Sequence, residues 1–269
     1  FGMSLKEKLQ WLSQSEGQSI PDDLLDQMIT NIGSLDSELR DTLNYNLFAE
    51  AVTAGNLTLK QQQEVTQRLL RNRFLLTNID NSQDNESIFK RSFTALFLAA
   101  LAYRHNNSPF LSQQQERELI KQTISYLQLE HDFRGLTLHG WAHGIAHSAD
   151  LIDEIINFQS LNHQDIIAFL TAIKNVLHRP FLLTADEPGR LVIPVQHLSH
   201  TKLITDEELT EWLTDLNHIN ADEFDAYGNV SLFMVKLQSL LLITENPDHS
   251  LSETVSCIIK NNYQRFGYL

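Results

Sequence analysis

Apolar residues recur every three or four positions along nearly the whole chain, and polar residues fill the positions between them. This period is typical of amphipathic helices, each of which buries one stripe of side chains. The pattern predicts helices over residues 5–15, 21–31, 37–54, 58–72, 86–105, 112–130, 140–159, 164–178, 191–200, 206–218, 230–244 and 251–264. No segment sustains strand alternation, and Pro194 argues against a strand over 191–195. We therefore expect an all-α protein.

Four of the predicted helix starts carry a capping box, in which a hydroxyl group and a Glu or Gln three residues later exchange hydrogen bonds with backbone N–H groups. The four pairs are Thr58 with Gln61, Ser112 with Gln115, Thr205 with Glu208, and Ser250 with Glu253. Their positions support the predicted boundaries.

Short polar turns join the helices, so each apolar stripe is expected to pack against neighbours in sequence. This predicts an irregular α-α superhelix, a HEAT-like solenoid of antiparallel helix pairs, with a closed toroid of helical hairpins as the alternative. We expect a single all-helical domain over residues 3–269, with a possible weak subdomain boundary near 78–85, where Asn, Asp and Ser cluster. Phe1 and Gly2 precede Met3 and are expected to be a tag remnant.

The composition narrows the classes of partner. A net charge of −14 repels polyphosphates and anionic lipids, so neither nucleic acid nor membrane is expected as a partner. No stretch approaches the roughly 20 apolar residues of a membrane span. Cys257 is the only cysteine, which excludes an internal disulfide and a cysteine-rich metal site. The sequence also lacks a glycine-rich phosphate loop and a nucleophile elbow. We expect a cytoplasmic protein.

Residues 139–151, HGWAHGIAHSADL, hold three of the chain's eleven histidines. In a helix over 140–159, one polar face would gather His143, His147, Asp150 and Glu154 within an arc of about 60°. His139 extends this row if the helix starts early, and Trp141 is expected on the apolar, buried side. Gly140 and Gly144 are expected to allow another helix or a ligand to approach closely.

Two imidazoles one turn apart beside a carboxylate suit zinc or another divalent transition metal. His143, His147 and Asp150 are therefore candidate ligands, with a residue from outside the helix completing the shell. The alternative is that the histidines face solvent or hydrogen-bond to neighbouring helices.

Just upstream, residues 130–135 read EHDFRG. Here Arg134, oriented by Asp132, is a candidate anion-binding residue. The alternative, which the pattern favours, is an ion pair that fixes the turn between two helices.

Three motifs follow one another along the chain: RSFTAL at 91–96, DFRG at 132–135 and GWAHGIAHSADL at 140–151. In this order they resemble a bacterial family of proteins of unknown function. EPGRL at 187–191 is similar to a later element of that family, and its Pro-Gly pair predicts a turn between Glu187 and Arg190. The resemblance implies an all-helical bacterial protein without an established activity. It selects as site residues Asp132, Arg134, Trp141, His143, His147, Asp150 and Arg190.

Three functional hypotheses follow. The leading one is a non-catalytic binding or scaffold module whose His/Asp-rich helix face recognises a protein, a peptide or a small ligand. The rival is a metal-dependent hydrolase, with a His-His-Asp site on helix 140–159 and a bound water as the nucleophile. The third is a pH-responsive element, because clustered histidines titrate near neutrality.

Overall fold

The structure is a computed structural model that describes residues 2–244 and 248–269. It is 67% helical, which confirms the all-α prediction. The α-helices of the described residues are α1 Leu5–Leu12, α2 Asp22–Thr30, α3 Asn46–Thr53, α4 Leu59–Arg71, α5 Ser87–Asn107, α6 Gln113–Leu129, α7 Gly144–Ile155, α8 His163–Leu177, α9 Glu187–Thr201, α10 Asp206–Leu216, α11 Phe224–Ile243 and α12 His249–Arg265. The superhelical arrangement stays a prediction.

Four shorter elements interrupt the series of α-helices. A π-helical segment, Glu38–Tyr45, leads directly into α3, so the helix predicted over 37–54 is two elements. A 3-10 helix, Phe74–Leu76, follows α4. Strands β1, Leu136–Thr137, and β2, Gly140–Trp141, form an antiparallel hairpin that the hydrophobic pattern did not predict.

The chain divides into two compact units, Phe1–Ser160 and Leu161–Leu269. The sequence placed a single domain over 3–269 with a weak boundary near 78–85, and that organisation stays a prediction. The first unit contains the hairpin, the histidine motif and every candidate site residue except Arg190.

Helix α5 is the centre of the first unit. Its core side chains include Phe93, Leu96, Phe97, Leu98 and Leu101, none of which is more than 8% exposed. Neighbours pack around it, among them α3, α7 and the 3-10 helix. A helix surrounded in this way must be apolar on nearly all sides, so its few polar side chains need partners inside the unit.

Helix α11 is the centre of the second unit, where it packs against α9 and α12. Asn229 is fully buried on it. The Asn229 side chain accepts a hydrogen bond from the Leu183 backbone N–H at 2.8 Å and donates to the carbonyl oxygens of Leu177 and Phe181. These bonds tie the end of α8 and the following loop to α11.

By length and composition, α11 is the one helix among the described residues that could cross a bilayer. The expectation that no stretch approaches a membrane span is therefore wrong for Phe224–Ile243. Phe233, Met234 and Leu237 are fully buried in the unit, as expected for a core helix.

Three of the four predicted capping boxes, at Thr58, Ser112 and Thr205, are confirmed. The fourth is wrong, because α12 starts at His249 and Asp248 caps it by accepting from the Leu251 N–H at 3.0 Å.

The turn predicted between Glu187 and Arg190 is also wrong. These residues form the first turn of α9. Proline is tolerated in a first turn because its missing N–H would have no helical partner there.

Candidate functional site

The hairpin takes the place of the first turn predicted for the histidine helix. Gly140 has a φ of +81°, which a right-handed helix excludes, and α7 starts only at Gly144. The Thr137 hydroxyl donates to the Gly140 carbonyl at 2.8 Å and accepts from the His139 N–H at 3.0 Å. The Ala142 N–H then donates to the carbonyl of Gly135 at 2.8 Å. The prediction of a helix from residue 140 is therefore wrong, and His139 lies in the hairpin turn.

The Arg40 side chain binds the hairpin on its buried side. It comes from the π-helical segment and is fully buried. Its Nη2 donates to the carbonyl oxygens of His139, at 2.6 Å, and Trp141, at 3.3 Å, while Nη1 donates to that of Ser34 at 2.7 Å. The guanidinium lies over two phenylalanine rings of α5, at 4.4 and 4.9 Å from their centroids.

None of the described carboxylates lies within ion-pair distance of Arg40. Burial therefore lowers the pKa of Arg40, and the charges of Asp41 and Asp36 offset this only in part. The cation is held by backbone carbonyls and aromatic faces, which gives the hairpin a fixed position on α5.

Trp141 and His143 form an aromatic pair at the outer side of the hairpin. Their rings stack at 4.5 Å with an interplanar angle of 20°, and Trp141 is 41% exposed. The prediction that Trp141 lies in the core is wrong, because a strand residue replaces the expected helical one. Leu136 and Leu138, at 68% and 104%, are also exposed on the hairpin.

His143 has a left-handed backbone, with a φ of 54°, at the start of α7. This conformation costs a residue with a side chain about 1–2 kcal/mol. Such strain persists only where surrounding contacts hold it, and it is a common feature of functional sites. The His143 N–H donates to the Arg134 carbonyl at 3.1 Å, one of the contacts that hold this backbone in place.

His147 lies one turn further along α7 and is only 8% exposed. The Ser92 hydroxyl donates to the Ala142 carbonyl, so its oxygen accepts from His147 Nδ1, 2.7 Å away. Neutral His147 then carries its proton on Nδ1 and its lone pair on Nε2. The open imidazole row expected on one helix face is thus corrected, since the His147 ring is buried against α5, 5.2 Å from that of Phe93.

The two glycines of the motif allow the close approaches that the sequence predicted. A methyl group on Gly144 would collide with the Tyr126 hydroxyl of α6, and one on Gly140 would lie 2.8 Å from Ser37 Cβ. Tyr126 is fully buried, and this burial, followed by the charge of Glu130, raises its pKa well above the usual range.

A second buried arginine lies beside this region. Arg91 of α5 and Glu130, at the end of α6, are both fully buried and joined by two hydrogen bonds of 2.8 Å. Burial alone would lower the pKa of Arg91, but the hydrogen bonds and charge of Glu130 outweigh it and raise that pKa. Glu130 also accepts from the Asp132 N–H at 3.0 Å, which orders the next turn.

Asp132 and Arg134 form the ion pair that the sequence favoured. Arg134 Nη2 lies 2.6 Å from the Asp132 carboxylate and donates to the Asn85 carbonyl. The hydrogen bond that the Arg134 guanidinium donates to Asp132 raises the pKa of Arg134. The Arg134 side chain is 40% exposed, so the pair fixes the loop before β1 and leaves part of the guanidinium at the surface.

The remaining candidates lie on α7 and α9. Asp150 is half-buried on α7. Glu154, also on α7, accepts from the Asn106 side chain of α5 at 3.0 Å. Arg190 lies in the first turn of α9, in the second unit. Ring contacts join Trp141 to His143 and His143 to His147.

Within residues 2–244 and 248–269, no group of three or more His, Cys, Asp or Glu side chains is arranged to hold a metal ion. The predicted triad of His143, His147 and Asp150 gains no support from this geometry. The metal site stays a prediction.

Several residues of this region were not selected as site residues from the sequence. Ser92 lies inside a helical pattern, Glu130 is the first residue of EHDFRG, and Arg40 is 99 residues from His139 along the chain. Arg91 and Ser92 are part of the first family motif, which was the only indication of their importance.

The comparisons with known proteins give a family and no activity. A family model described as a protein of unknown function, DUF2785, matches residues 75–242. No curated protein and no solved structure matches the chain. The matched residues include α5, the hairpin and α7, whereas Arg40 lies before them.

Proposed function

The chain belongs to DUF2785, a family of proteins of unknown function, and from that premise we propose that it is a non-catalytic binding module for a basic segment of another protein. The contact surface is formed by Leu136, Leu138, His139, Trp141 and His143, here called the hairpin surface. The observation that carries the proposal is the exposed Trp141 ring, stacked on His143 at 4.5 Å.

The construction of the hairpin surface supports a binding role. Tryptophan is the residue type most enriched among interface positions that dominate binding energy. Trp141 is held from inside by a bond from buried Arg40 to its carbonyl group, and from outside by the His143 ring. Such fixation lowers the entropy lost when a partner docks.

The charge of the protein favours a basic partner. The net charge is −14, and complementary charge accelerates encounter and disfavours wrong partners. Peptide segments rich in Lys or Arg fit this field, and Trp141 offers their cations an aromatic face. A small ligand and a purely scaffolding role are the other outcomes of the test below.

The buried Ser92–His147 pair fits a positioning role better than nucleophilic catalysis. Ser92 is fully buried, and its hydroxyl proton is donated to the Ala142 carbonyl. A serine nucleophile must reach its substrate and pass its proton to a base. Ser92 instead fixes the tautomer of His147 and ties α5 to the start of α7.

The test is selection of binders from a random peptide library displayed on phage, followed by affinity measurements with the selected peptides. We expect basic peptides, and a loss of affinity of about tenfold or more with Trp141→Ala, because a tryptophan at a hot spot contributes at least about 2 kcal/mol. Trp11→Ala is the matched control, since Trp11 is 59% exposed on α1. Equal affinities for wild type and Trp141→Ala would contradict the proposal.

Metal content distinguishes this proposal from the hydrolase alternative. One zinc or other divalent metal per chain in the purified protein, lost in a His143→Ala/His147→Ala variant, would favour a metal-dependent reaction. Protein that binds the selected peptides equally well with and without a chelator would support the binding module. We place this module in the cytoplasm, in keeping with its single cysteine.

A further inference from the structure

A cleft of about 610 Å³ lies in the first unit, between the end of α4, the 3-10 helix and the start of α5. Three cationic side chains line it, Arg68, Arg73 and Lys90. The whole chain has only 20 Lys and Arg residues against 34 Asp and Glu. Three cations around one cleft therefore stand out in a protein whose average field repels anions.

Lys90 is the central cation of this cleft. Its Nζ lies 4.0 Å from the centroid of the Phe74 ring, and within the described part of the chain no carboxylate pairs with it. Burial, followed by the positive charge of Arg68, lowers the pKa of Lys90. The ammonium group is thus partly desolvated and lies over an aromatic face.

Arg68 and Arg73 contribute in different ways. The Arg68 guanidinium lies 5.8 Å from the same Phe74 ring, and it is already bound to Asp26 at 2.6 Å. Arg73 is exposed and forms no ion pair among the residues that the structure covers. Its backbone is left-handed, with a φ of 49°, where the chain leaves α4 and enters the 3-10 helix.

Only one acidic residue, the exposed Asp80, lines the cleft. It cannot neutralise both Lys90 and Arg73. A ligand with a doubly charged oxyanion would pair with both cations. Its oxygens would replace the water contacts that Lys90 has lost. The volume exceeds that of a single phosphate ion and lies within the usual range for small-molecule sites.

We propose that this cleft binds the phosphate group of a small phosphate monoester, with Lys90 and Arg73 as its charge partners. Arg68, which is paired with Asp26, lies near the same Phe74 ring and is not one of these charge partners. The rest of the ligand would lie against the apolar lining residues Leu76 and Ile79. This inference is independent of the hairpin surface, because the two sites share no residue.

The experiment is calorimetric titration of the full chain with glycerol 3-phosphate and inorganic phosphate, with glycerol as the uncharged probe. We expect saturable binding of both phosphates and none of glycerol. Lys90→Met should weaken binding by about tenfold or more, the loss of one charge-assisted hydrogen bond, while its side chain still packs on Phe74. Lys121→Met removes one charge from an exposed site of the same unit and should change affinity by less than about twofold.

Arg73→Gln is a second test that does not depend on a buried substitution. Because Arg73 is exposed, the variant should fold normally by circular dichroism and still bind phosphate more weakly than wild type. Absence of saturable phosphate binding by the wild type would overturn the proposal. Equal binding by Lys90→Met and Lys121→Met would also overturn it and leave Lys90 with a packing role on Phe74.

Discussion

Arg91 and Arg40 are both fully buried in the first unit, yet they are held in opposite ways. Arg91 forms a bidentate pair with Glu130, which raises its pKa despite burial. Arg40 has carbonyl groups and aromatic rings around it, and burial lowers its pKa. Arg91 and Glu130 form an ion pair with no net charge inside the unit. Arg40 donates its hydrogen bonds to the exposed hairpin, so substitution of Arg40 should also change binding at the hairpin surface.

The largest effect is expected for Glu130→Gln, which leaves Arg91 buried without a counter-charge. We expect a loss of roughly 3–5 kcal/mol in the free energy of unfolding, measured with denaturant, because breaking a buried pair strands the remaining charge. Glu64→Gln is the matched control, since that carboxylate is 59% exposed and pairs only with Lys60. A loss of under about 1 kcal/mol for Glu130→Gln would show that water reaches Arg91.

Arg40→Met should lower the free energy of unfolding by less, about 2–3 kcal/mol, because it leaves buried carbonyl groups without a donor but leaves no unpaired charge. Its second effect is specific to the hairpin. The carbonyls of His139 and Trp141 lose their donor, so the emission of Trp141 should change in a Trp11→Phe/Trp212→Phe background, where it is the one tryptophan left. Selected peptides should also bind more weakly, although Arg40 does not lie on the hairpin surface. Glu130→Gln serves as the comparison, since it should lower stability and leave peptide affinity nearly unchanged.

If Arg40→Met left both the emission of Trp141 and the peptide affinity unchanged, the hairpin would not depend on Arg40. The two buried arginines would then differ only in energy.

Gly140→Ala should lower the free energy of unfolding by an intermediate amount, because it disturbs the contact between Arg40 and the hairpin from the hairpin side. A methyl group there would lie 2.8 Å from Ser37 Cβ and 3.2 Å from Arg40 Nη2, at a φ of +81°. We expect a loss of about 2 kcal/mol, about half from the positive φ and half from crowding. Gly17→Ala isolates the first part, because its φ is +70° and nothing lies within 4 Å. Equal losses for the two variants would mean that Ser37 and Arg40 move aside freely.

The part of the fold that depends on local interactions could be predicted from the sequence. Helical periodicity located every α-helix, and capping boxes placed the starts at Thr58, Ser112 and Thr205, because both signals act within one turn. The capping signal was misleading at α12, where the Asp248 carboxylate caps the helix two residues before the predicted cap, Ser250.

The hairpin could not be predicted in the same way. Residues 140–143 have helical spacing of apolar and polar side chains, but contacts from outside the segment decide their conformation. The Gly135 carbonyl accepts from Ala142, and Arg40 binds two hairpin carbonyls from 99 or more residues away. The site therefore differs from its sequence prediction most strongly where it depends on long-range contacts. In place of a row on one helix face, His139 is exposed in the hairpin turn, His143 is half-buried and His147 is buried.

The smallest effect is expected from salt concentration acting on the coupling free energy between Arg91 and Glu130. A double-mutant cycle with Arg91→Met and Glu130→Leu gives the coupling free energy of the buried pair. Raising the salt concentration from about 0.05 M to about 0.5 M should change it by less than about 0.3 kcal/mol, since ions do not enter the interior. The corresponding cycle for Lys60 and Glu64, which are 76% and 59% exposed, should start near about 0.4 kcal/mol and lose most of it. A coupling for Arg91 and Glu130 that falls in parallel with the exposed pair would mean that solvent enters beside α5. In that case Arg91 and Arg40 would differ in access to water as well as in their partners.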